Sequence, residues 1–554
     1  MSFIFGMKKQ VLFFIISLTC LSIDGLAQYE WFNSYEGNGY VCLPKIAIDK
    51  TNNDVYAFGQ FVKDIKIKGT TITGSGCLLI KHSASGKVLW YKIFRYSRDI
   101  SGYSSPSIET DGQGNVYVAG QYPESATLDG TTITAASYFS MFLAKFNSDG
   151  NLMWVKTFLY QQEAGFRLSV NMAGDIGIAG ILIGQLQIGN ITLNTEYNVY
   201  GALFNTDGVV QWVQLFGSDK DRAQTNYPIS ITLDDAGNYY LCGRYAGPVT
   251  IGDKQVSNTS IGSFNMYYAK INKLGKCEWL TEAYRKVSAD FEFYSNPPYQ
   301  PVEVIIELGD MTTDASGNLY ACGMFWLDMK IGNYHFSSNI SELYHNNYIA
   351  KLDNTGKIEW ALPTLSINIG NTIENIVTLN DKVFVSGRHS TSDSIGAAKP
   401  YYKTVSTSGD VITELTTFPL TANFGDRGNG LAVDNADGIY LSGRYSSGIA
   451  NFKGFVFKVG SSIPNPIKVC SYDSLVIPNV ITPNHDGANE SFVLDTQLAG
   501  SGLVILSRCG KEVYTTNNYE NDWSGDNLPS GVYFYSVSNA CLTKPLRGVL
   551  TILK

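Results

Sequence analysis

One short string in the sequence has the composition of a metal-binding loop. Residues 484–490 read Asn-His-Asp-Gly-Ala-Asn-Glu, which places oxygen-bearing side chains around a glycine turn. Such oxygen ligands suit calcium. The full calcium-loop spacing with its distal glutamate is missing, and a turn held by its own Asn and Asp side chains explains the same residues. Calcium is thus the one candidate cofactor, and its ligands would be Asn484, Asp486, Asn489 and Glu490.

The chain carries no sequence motif of a hydrolase, a nucleotide-binding enzyme or a zinc peptidase. The nucleophile motif G-x-S-x-G, the phosphate loop G-x-x-x-x-G-K-[ST] and H-E-x-x-H are all absent. The five His residues are scattered, and the nine Cys residues form no C-x-x-C pair. The sequence therefore predicts a protein that is not an enzyme, with carboxylates that converge only in the folded chain as the alternative.

A second candidate site is an aromatic segment at residues 284–299. Aromatic rings with a polar tip suit recognition of a sugar or a protein at a wet interface. The alternative is that these rings fold back and pack into a small hydrophobic core of their own. The residues predicted to bind a ligand are Tyr284, Phe291, Phe293, Tyr294 and Tyr299.

The elements that must position these residues repeat along the chain. A phrase that is clearest at residues 111–120, Asp-Gly-Gln-Gly-Asn-Val-Tyr-Val-Ala-Gly, predicts a β-hairpin, because Asp, Asn and Gly form the turn and the following residues alternate as a strand. Its copies close at Gly59, Gly120, Gly180, Gly243, Gly323, Gly387 and Gly443. These glycines are 56 to 64 residues apart, except for one interval of 80 that contains the aromatic segment.

A second phrase lies between copies of the first. A Gly stands four residues before a Trp in five pairs: Gly86/Trp90, Gly150/Trp154, Gly208/Trp212, Gly275/Trp279 and Gly356/Trp360. An aromatic residue at one fixed place in every unit is expected to fill the wedge between neighbouring sheets. The sixth copy has Gly409 but carries Thr413 in place of the Trp.

Each repeat holds several short strands with tight turns and leaves no room for a helix. Radial stacking buries both faces of such units, so the sequence predicts an all-β fold, a seven-bladed β-propeller over residues 28–460. The units resemble the bacterial propeller repeats called SBBP repeats. Trp31 lies in a strand that looks like the last strand of a unit whose earlier strands are missing. This strand is expected to complete the last blade and close the ring.

Three arginines follow a closing glycine directly, at Arg244, Arg388 and Arg444. They could line one rim as an anion-binding ring, or form ion pairs between blades. Cys42 and Cys77 fall inside one unit and are a candidate disulfide. The net charge of −8 argues against nucleic acid as a partner, since binding to phosphates needs a basic footprint.

The N-terminus predicts a secretory signal peptide at residues 1–27. Lys8 and Lys9 precede an apolar run, and small residues stand before Gln28 at the expected cleavage point. Met7 begins an equally good signal. No later stretch is apolar for the 18 or more residues that a membrane helix needs.

A second domain is expected at residues 470–554, after a proline-containing linker at 461–469. Its short alternating strands predict an Ig-like β-sandwich. With landmarks such as Pro478-Asn479, Trp523-x-Gly525 and Leu528-Pro529-x-Gly531, it resembles the type B sorting domain of the type IX secretion system, the gliding-motility-associated C-terminal domain. His485 and Cys509 depart from the usual pattern.

This resemblance implies export through the periplasm by the type IX machinery, to the cell surface or the medium. The sequence as a whole predicts a secreted or surface-displayed binding or adhesion protein with an extracellular glycan or protein ligand. The alternatives are a propeller enzyme that acts on glycans and a purely structural surface module.

Overall fold

The computed structural model describes most of the chain from Tyr29 onward. The described residues are 29–99, 106–162, 166–217, 227–245, 247–257, 263–284, 304–326, 328–337, 345–364, 372–390, 398–417, 430–446, 452–459, 477–484, 486, 488–495, 498, 500–516, 518–525, 527–538 and 546–554. They contain no α-helix and consist mainly of strands, so the prediction of an all-β protein is confirmed. The predicted signal peptide and linker lie outside the described residues.

Four-stranded antiparallel units follow one another through residues 29–459, here called the repeat region. The chain begins with β1 (Tyr29–Tyr35). The first unit holds β2 (Val41–Ile48), β3 (Val55–Phe61), a small hairpin of β4 (Asp64–Ile67) and β5 (Thr70–Thr73), β6 (Gly76–His82) and β7 (Val88–Tyr96). The second holds β8 (Ser107–Thr110), β9 (Val116–Leu128), β10 (Thr131–Phe146) and β11 (Leu152–Gln162). The third holds β12 (Arg167–Val170), β13 (Ile176–Ile188), β14 (Ile191–Phe204) and β15 (Val210–Phe216).

The remaining units keep this order. The fourth holds β16 (Tyr227–Leu233), β17 (Tyr239–Tyr245), the hairpin β18 (Val249–Ile251) and β19 (Lys254–Val256), β20 (Ser263–Ile271) and β21 (Cys277–Tyr284). The fifth holds β22 (Val304–Thr313), β23 (Leu319–Trp326), the hairpin β24 (Asp328–Ile331) and β25 (Tyr334–Ser337), β26 (His345–Leu352) and β27 (Ile358–Thr364). The sixth holds β28 (Thr372–Leu379), β29 (Lys382–Ser390), β30 (Ala398–Ser406) and β31 (Val411–Thr417), and the seventh holds β32 (Gly430–Val433), β33 (Ile439–Ser446) and β34 (Phe452–Val459).

The two ends of the repeat region meet in the seventh unit. Strand β1 pairs antiparallel with β34, with Phe32 opposite Phe457 and Tyr35 opposite Gly454. The first strands of successive units lie side by side, and β32 lies beside β2, so these strands form a closed ring. The N-terminal strand thus completes the last unit, as the sequence predicts.

The recurring phrase is a self-contained hairpin turn. In the second unit the carboxylate of Asp111 accepts hydrogen bonds from the backbone N–H groups of Gln113 and Asn115, both at 2.9 Å. The Tyr117 hydroxyl donates to the same carboxylate at 3.0 Å, and Gly114 has a positive φ of 79°. These bonds hold the turn together, so Asp111, Asn115 and Tyr117 have a structural role.

Each Trp of the second phrase packs against the turn of the following unit. The Trp90 indole donates to the Ser148 carbonyl at 3.0 Å, and a Cβ added at Gly150 would lie 2.9 Å from its ring. Gly150 has a φ of 83°, so its left-handed backbone conformation and the nearby Trp90 ring both favour glycine at this position. A ring also lies against the turn glycine in the pairs Trp154/Gly208, Trp212/Gly275, Trp279/Gly356 and Trp360/Gly409. The indoles of Trp279 and Trp360 also donate to a carbonyl of that turn, each at 3.0 Å. This arrangement matches the expected wedge between neighbouring sheets.

The missing Trp of the sixth unit has a topological reason. In each of the first six units a turn joins the third strand to the fourth, and the preceding unit's Trp covers it. In the seventh unit the third strand ends at Val459 and the fourth begins at Tyr29, so no direct turn joins them. A Trp at position 413 would therefore have no such turn to cover, which explains why a Thr can stand there.

The C-terminal domain contains one five-stranded sheet within its described residues. In sheet order the strands are β35 (Val480–Ile481), β39 (Leu546–Ile552), β38 (Gly531–Ser538), β36 (Gly502–Ser507) and β37 (Glu512–Thr516). Phe492, Leu494, Tyr519 and Trp523 come from segments between strands and join Leu503 and Ile552 in one buried core. The two-sheet sandwich remains a prediction.

Candidate functional site

The first strands of the seven units surround a central cavity of about 1090 Å³. Residues from β2, β8, β12, β16, β22, β28 and β32 line it. Its volume lies just above the usual range of about 300–1,000 Å³ for small-molecule sites. The hairpin turns contribute Lys50, Asp235 and Asn435 to the same wall.

One position in each first strand faces this cavity and is polar in six of the seven units. Its pairing partner on the second strand is the residue immediately before the closing glycine. The next residue is apolar and buried in every unit, and alternate strand residues point to opposite sides. We call these cavity-facing residues the polar belt: Lys45, Ser107, Arg167, Ser230, Asp310, Asn375 and Gly430.

Irregular pairing helps to aim the belt residues. The strand register shifts immediately before Lys45, Ser230, Asp310 and Asn375. Such β-bulges redirect a side chain and are frequent beside functional sites. At Gly59, the closing glycine opposite one shifted segment, an added Cβ would collide with the Cys42 carbonyl. The crowding that selects this glycine therefore comes from its own unit rather than from a neighbouring sheet.

Two carboxyl groups on the cavity wall influence each other. Glu109 lies two residues beyond Ser107 on β8 and faces the same way. Desolvation and the negative charge of Asp310 raise its pKa, Lys50 and Lys45 oppose the change, and the net value is about 8. Glu109 is therefore mostly protonated at neutral pH.

Asp310 is held more firmly than Glu109. Its carboxylate accepts hydrogen bonds from the Ser230 hydroxyl at 2.8 Å and from the Met311 N–H at 2.9 Å. Desolvation raises the pKa of Asp310, while Lys45, these two hydrogen bonds and Arg167 lower it. Within the described residues, Glu109 has no hydrogen bond or ion pair of this kind.

Four basic side chains line the cavity wall, and one of them, Lys382 of the sixth unit, pairs with Asp437. Lys45 and Lys50 come from the first unit and Arg167 from the third, on either side of the second unit that carries Glu109. Desolvation lowers the pKa of Lys50, and Glu109 and Asp235 oppose that change. Arg167 donates from Nη1 to the Phe166 carbonyl at 3.0 Å. Among the described wall residues, Tyr40 and Phe166 are the aromatic ones.

The predicted aromatic site falls mostly outside the described residues. Tyr284 ends β21, is half-buried, and lies beneath the Lys330 ammonium, 5.7 Å from its ring centroid. Phe291, Phe293, Tyr294 and Tyr299 lie outside the described residues. Recognition by this segment therefore stays a prediction.

The candidate calcium residues form a hydrogen-bonded turn. Asp486 accepts from the Asn484 amide at 2.9 Å and from the Ala488 N–H at 2.8 Å, and these bonds lower its pKa. Asn489 has a positive φ of 55°, and its carbonyl accepts from the Thr482 N–H. Glu490 is half-buried. This geometry supports the turn interpretation, and in the described part of the chain no group of three or more His, Cys, Asp or Glu residues is placed to hold a metal.

Two other sequence hypotheses need correction. No disulfide joins Cys42 and Cys77: both pair with Gln60, one from each side of β3, so a whole strand separates them. Arg388 pairs at 2.7 Å with Glu374 of its own unit rather than with another blade. Arg444 packs against the rings of Tyr40 and Phe452, at 5.0 and 4.6 Å from their centroids.

Sequence reasoning missed the polar belt, although a signal for it exists. When the first strands are aligned on the closing glycine of the hairpin phrase that follows each one, nearly every strand shows a polar residue followed by an apolar residue. The belt residues are far apart in the sequence, however, and only the ring brings them to one cavity.

The fold and the C-terminal match define this chain as an all-β, propeller-like protein with a secretion signal domain. Residues 475–552 match the family described as the CHU_C type IX secretion signal domain. This domain indicates export to the cell surface or the extracellular space, and it implies an interaction with the type IX secretion machinery. No helix in the described residues is long and apolar enough to cross a membrane.

Comparison with solved structures gives distant similarities. A polysaccharide lyase of family PL25, an ulvan lyase, is 10% identical, with a TM-score of 0.42 over 78% of this chain and 95% of the lyase. An α-L-arabinanase from Penicillium chrysogenum is 12% identical, with a TM-score of 0.32 over 78% and 98%. A protein of unknown function from Bacteroides caccae is 13% identical, with a TM-score of 0.27 over 59% and 83%. No curated protein matches the sequence.

Proposed function

We propose that the repeat region is a seven-bladed β-propeller that works outside the cell as a binding protein, with its ligand in the central cavity. The observation that carries this proposal is the polar belt with Glu109 beside it. Six first strands each contribute a polar side chain to the wall of one cavity.

The physical cost of this arrangement supports binding over a purely structural role. Ionisable groups in a desolvated cavity destabilise a protein unless they are paired. Apolar side chains at Lys50, Glu109 and Asp310 would avoid this cost of desolvation. Their presence is expected if the cavity must receive a polar ligand.

The test is a binding screen of the purified full chain against extracellular glycans and proteins, repeated with Thr232→Trp. Thr232 is half-buried on β16 and lines the cavity, so an indole there occupies ligand space. The matched control is Leu89→Trp, since Leu89 is 42% exposed on β7. Binding lost in Thr232→Trp and kept in Leu89→Trp is the expected result. Equal binding by both variants would reject the cavity as the site.

A second candidate is a glycan-active enzyme, and one observation favours it. A carboxyl group that holds its proton at neutral pH beside an ionised carboxylate is the pairing used in general acid catalysis. Glu109 and Asp310 could have these roles. The described wall has few of the aromatic residues that commonly stack on sugar rings, so binding is preferred. Release of reducing ends that is lost in Glu109→Gln would establish the enzyme instead.

The aromatic segment at 284–299 is proposed as a further part of the recognition surface. The C-terminal domain is proposed to fold as an Ig-like sandwich over residues 470–554, with the signal peptide at residues 1–27 carrying the chain to the periplasm first.

A further inference from the structure

One sector of the cavity wall carries more cations than ionised acids. Lys45, Lys50 and Arg167 are its cations, and the carboxylates of Asp235 and Asp310 act on them. Asp314, Asp381 and Lys382 line the wall in the fifth and sixth units. Glu109 contributes little charge at neutral pH, because desolvation and Asp310, opposed by Lys50 and Lys45, raise its pKa to about 8. This local excess contrasts with the net charge of −8 for the whole chain.

The simplest alternative is that these cations serve only to neutralise the nearby acids. Elsewhere in the protein such pairs are close: Lys81 lies 3.1 Å from Asp49, and Arg388 lies 2.7 Å from Glu374. Within the described residues, neither Lys45 nor Lys50 has an ion pair within 4.0 Å. Their ammonium groups influence Glu109 and Asp310 only through longer-range charge effects.

The wall is also asymmetric in a way that suits a small anion. The cations come from the first and third units and flank Glu109 of the second. The belt residues of the fourth, sixth and seventh units are Ser230, Asn375 and Gly430, which are uncharged. Lys45 is exposed to the cavity, so its ammonium can reach a ligand without leaving another partner.

We propose that the sector formed by Lys45, Lys50, Glu109 and Arg167 binds the oxyanion group of a small ligand in the central cavity. This inference rests on the proposed function and adds the ligand's chemical class. The ammonium groups compensate the negative charge, and the protonated carboxyl of Glu109 donates a hydrogen bond to the anion. A carboxylate, a sulfate ester and a phosphate ester share this chemistry.

Titration calorimetry on the full chain at pH 7 separates these sources. The probes are glucuronate, glucose 6-sulfate and glucose 6-phosphate, with glucose as the neutral comparison. We expect at least one anionic probe to bind and glucose to bind at least tenfold more weakly. The probe that binds identifies the kind of oxyanion.

Variants then locate the site. Lys45→Met is expected to weaken binding of that probe tenfold or more, and Lys45→Arg to retain it. The matched control is Lys92→Met in the same unit, whose ammonium pairs with Asp129 at 2.9 Å on the outer strand. It is expected to bind like the wild type. Melting curves of all variants establish that they are folded.

Three outcomes would overturn the inference. These are unchanged anion affinity in Lys45→Met, an equal loss in Lys92→Met, and no binding of any anionic probe. If a neutral ligand binds instead and Thr232→Trp abolishes that binding, the cavity remains the binding site and only the oxyanion inference fails.

Discussion

The Trp31 indole donates a hydrogen bond to the Ala84 carbonyl at 2.9 Å, joining the N-terminal strand to a turn 53 residues further along the chain. Trp31 belongs to the seventh unit and Ala84 to the first, so this contact crosses the closure of the ring. A Cβ added at Gly86 would lie 2.5 Å from the Trp31 ring. The closure therefore uses the same contact that joins other neighbouring units.

Removing this ring should weaken the closure. Trp31 is half-buried, so we expect Trp31→Ala to lower the free energy of unfolding by about 2–3 kcal/mol, below the range for fully buried aromatic residues. Chemical denaturation measures this change. Trp360→Ala removes an equivalent contact inside the chain and serves as the control. Only Trp31→Ala should make β1 sensitive to limited proteolysis; protection of β1 in that variant would contradict the closure role.

Restoring the missing Trp should bring no stability. In Thr413→Trp the new indole has no turn between the third and fourth strands of the next unit to cover, and it removes the Thr413 hydroxyl that accepts from the Thr404 N–H at 3.0 Å. We expect a melting temperature equal to or below that of the wild type. A clear rise would show that another surface of the seventh unit receives the ring.

Glu109 should make stability depend on pH in a definite direction. Its pKa is about 8 in the folded protein against an ordinary value of 4.5, so the folded chain holds a proton that the unfolded chain has released. Stability should therefore fall as the pH rises from about 4.5 to about 8, with a slope of at most about 1.4 kcal/mol per pH unit.

Denaturation at pH 6 and pH 8 compares the wild type with Glu109→Gln. The variant should lose less stability than the wild type across this interval. Glu124→Gln is the control, because Glu124 is exposed at the end of a surface ion pair with Arg98. The charges of Lys45, Lys50 and Asp310 also affect the pKa of Glu109. The contribution of Glu109 is therefore the difference between the wild-type and Glu109→Gln curves, and the wild-type curve alone does not give it. Parallel curves would show that Glu109 ionises normally.

Loss of the C-terminal domain should stop export at the periplasm. Residues 475–552 match a type IX secretion signal domain, whereas the predicted signal peptide crosses only the inner membrane. Cell fractionation of a chain truncated before Cys470 should find it in the periplasm, with the full chain outside the cell. Appearance of the truncated chain in the medium would show that another signal directs export.

The aromatic segment can be tested separately from the cavity. If Phe293, Tyr294 and Tyr299 form a recognition surface, replacing all three by Ala should reduce binding and leave the melting temperature unchanged. A large fall in melting temperature with binding retained would show instead that the rings pack as a private core. The ligand found in the binding screen is the probe.

Local patterns in the sequence predicted much of the fold. The Asp-x-x-Gly-Asn-x-Tyr phrase forms its turn through bonds among its own residues, so Asp111 and Tyr117 act in the same way wherever they stand. The Gly-x-x-x-Trp phrase likewise indicated the packing of neighbouring units. Strand alternation and turn chemistry are short-range, and a single sequence displays them directly.

The candidate site depended on the tertiary structure. Lys45, Glu109, Arg167 and Asp310 come from four units, and only closure of the ring brings their charges together. The Cys42–Cys77 disulfide was wrong for the converse reason: nearness in sequence placed both in one sheet, but β3 runs between them. Sequence spacing determines which residues share a repeat, whereas strand order and ring closure determine which side chains meet and how desolvation alters their ionisation.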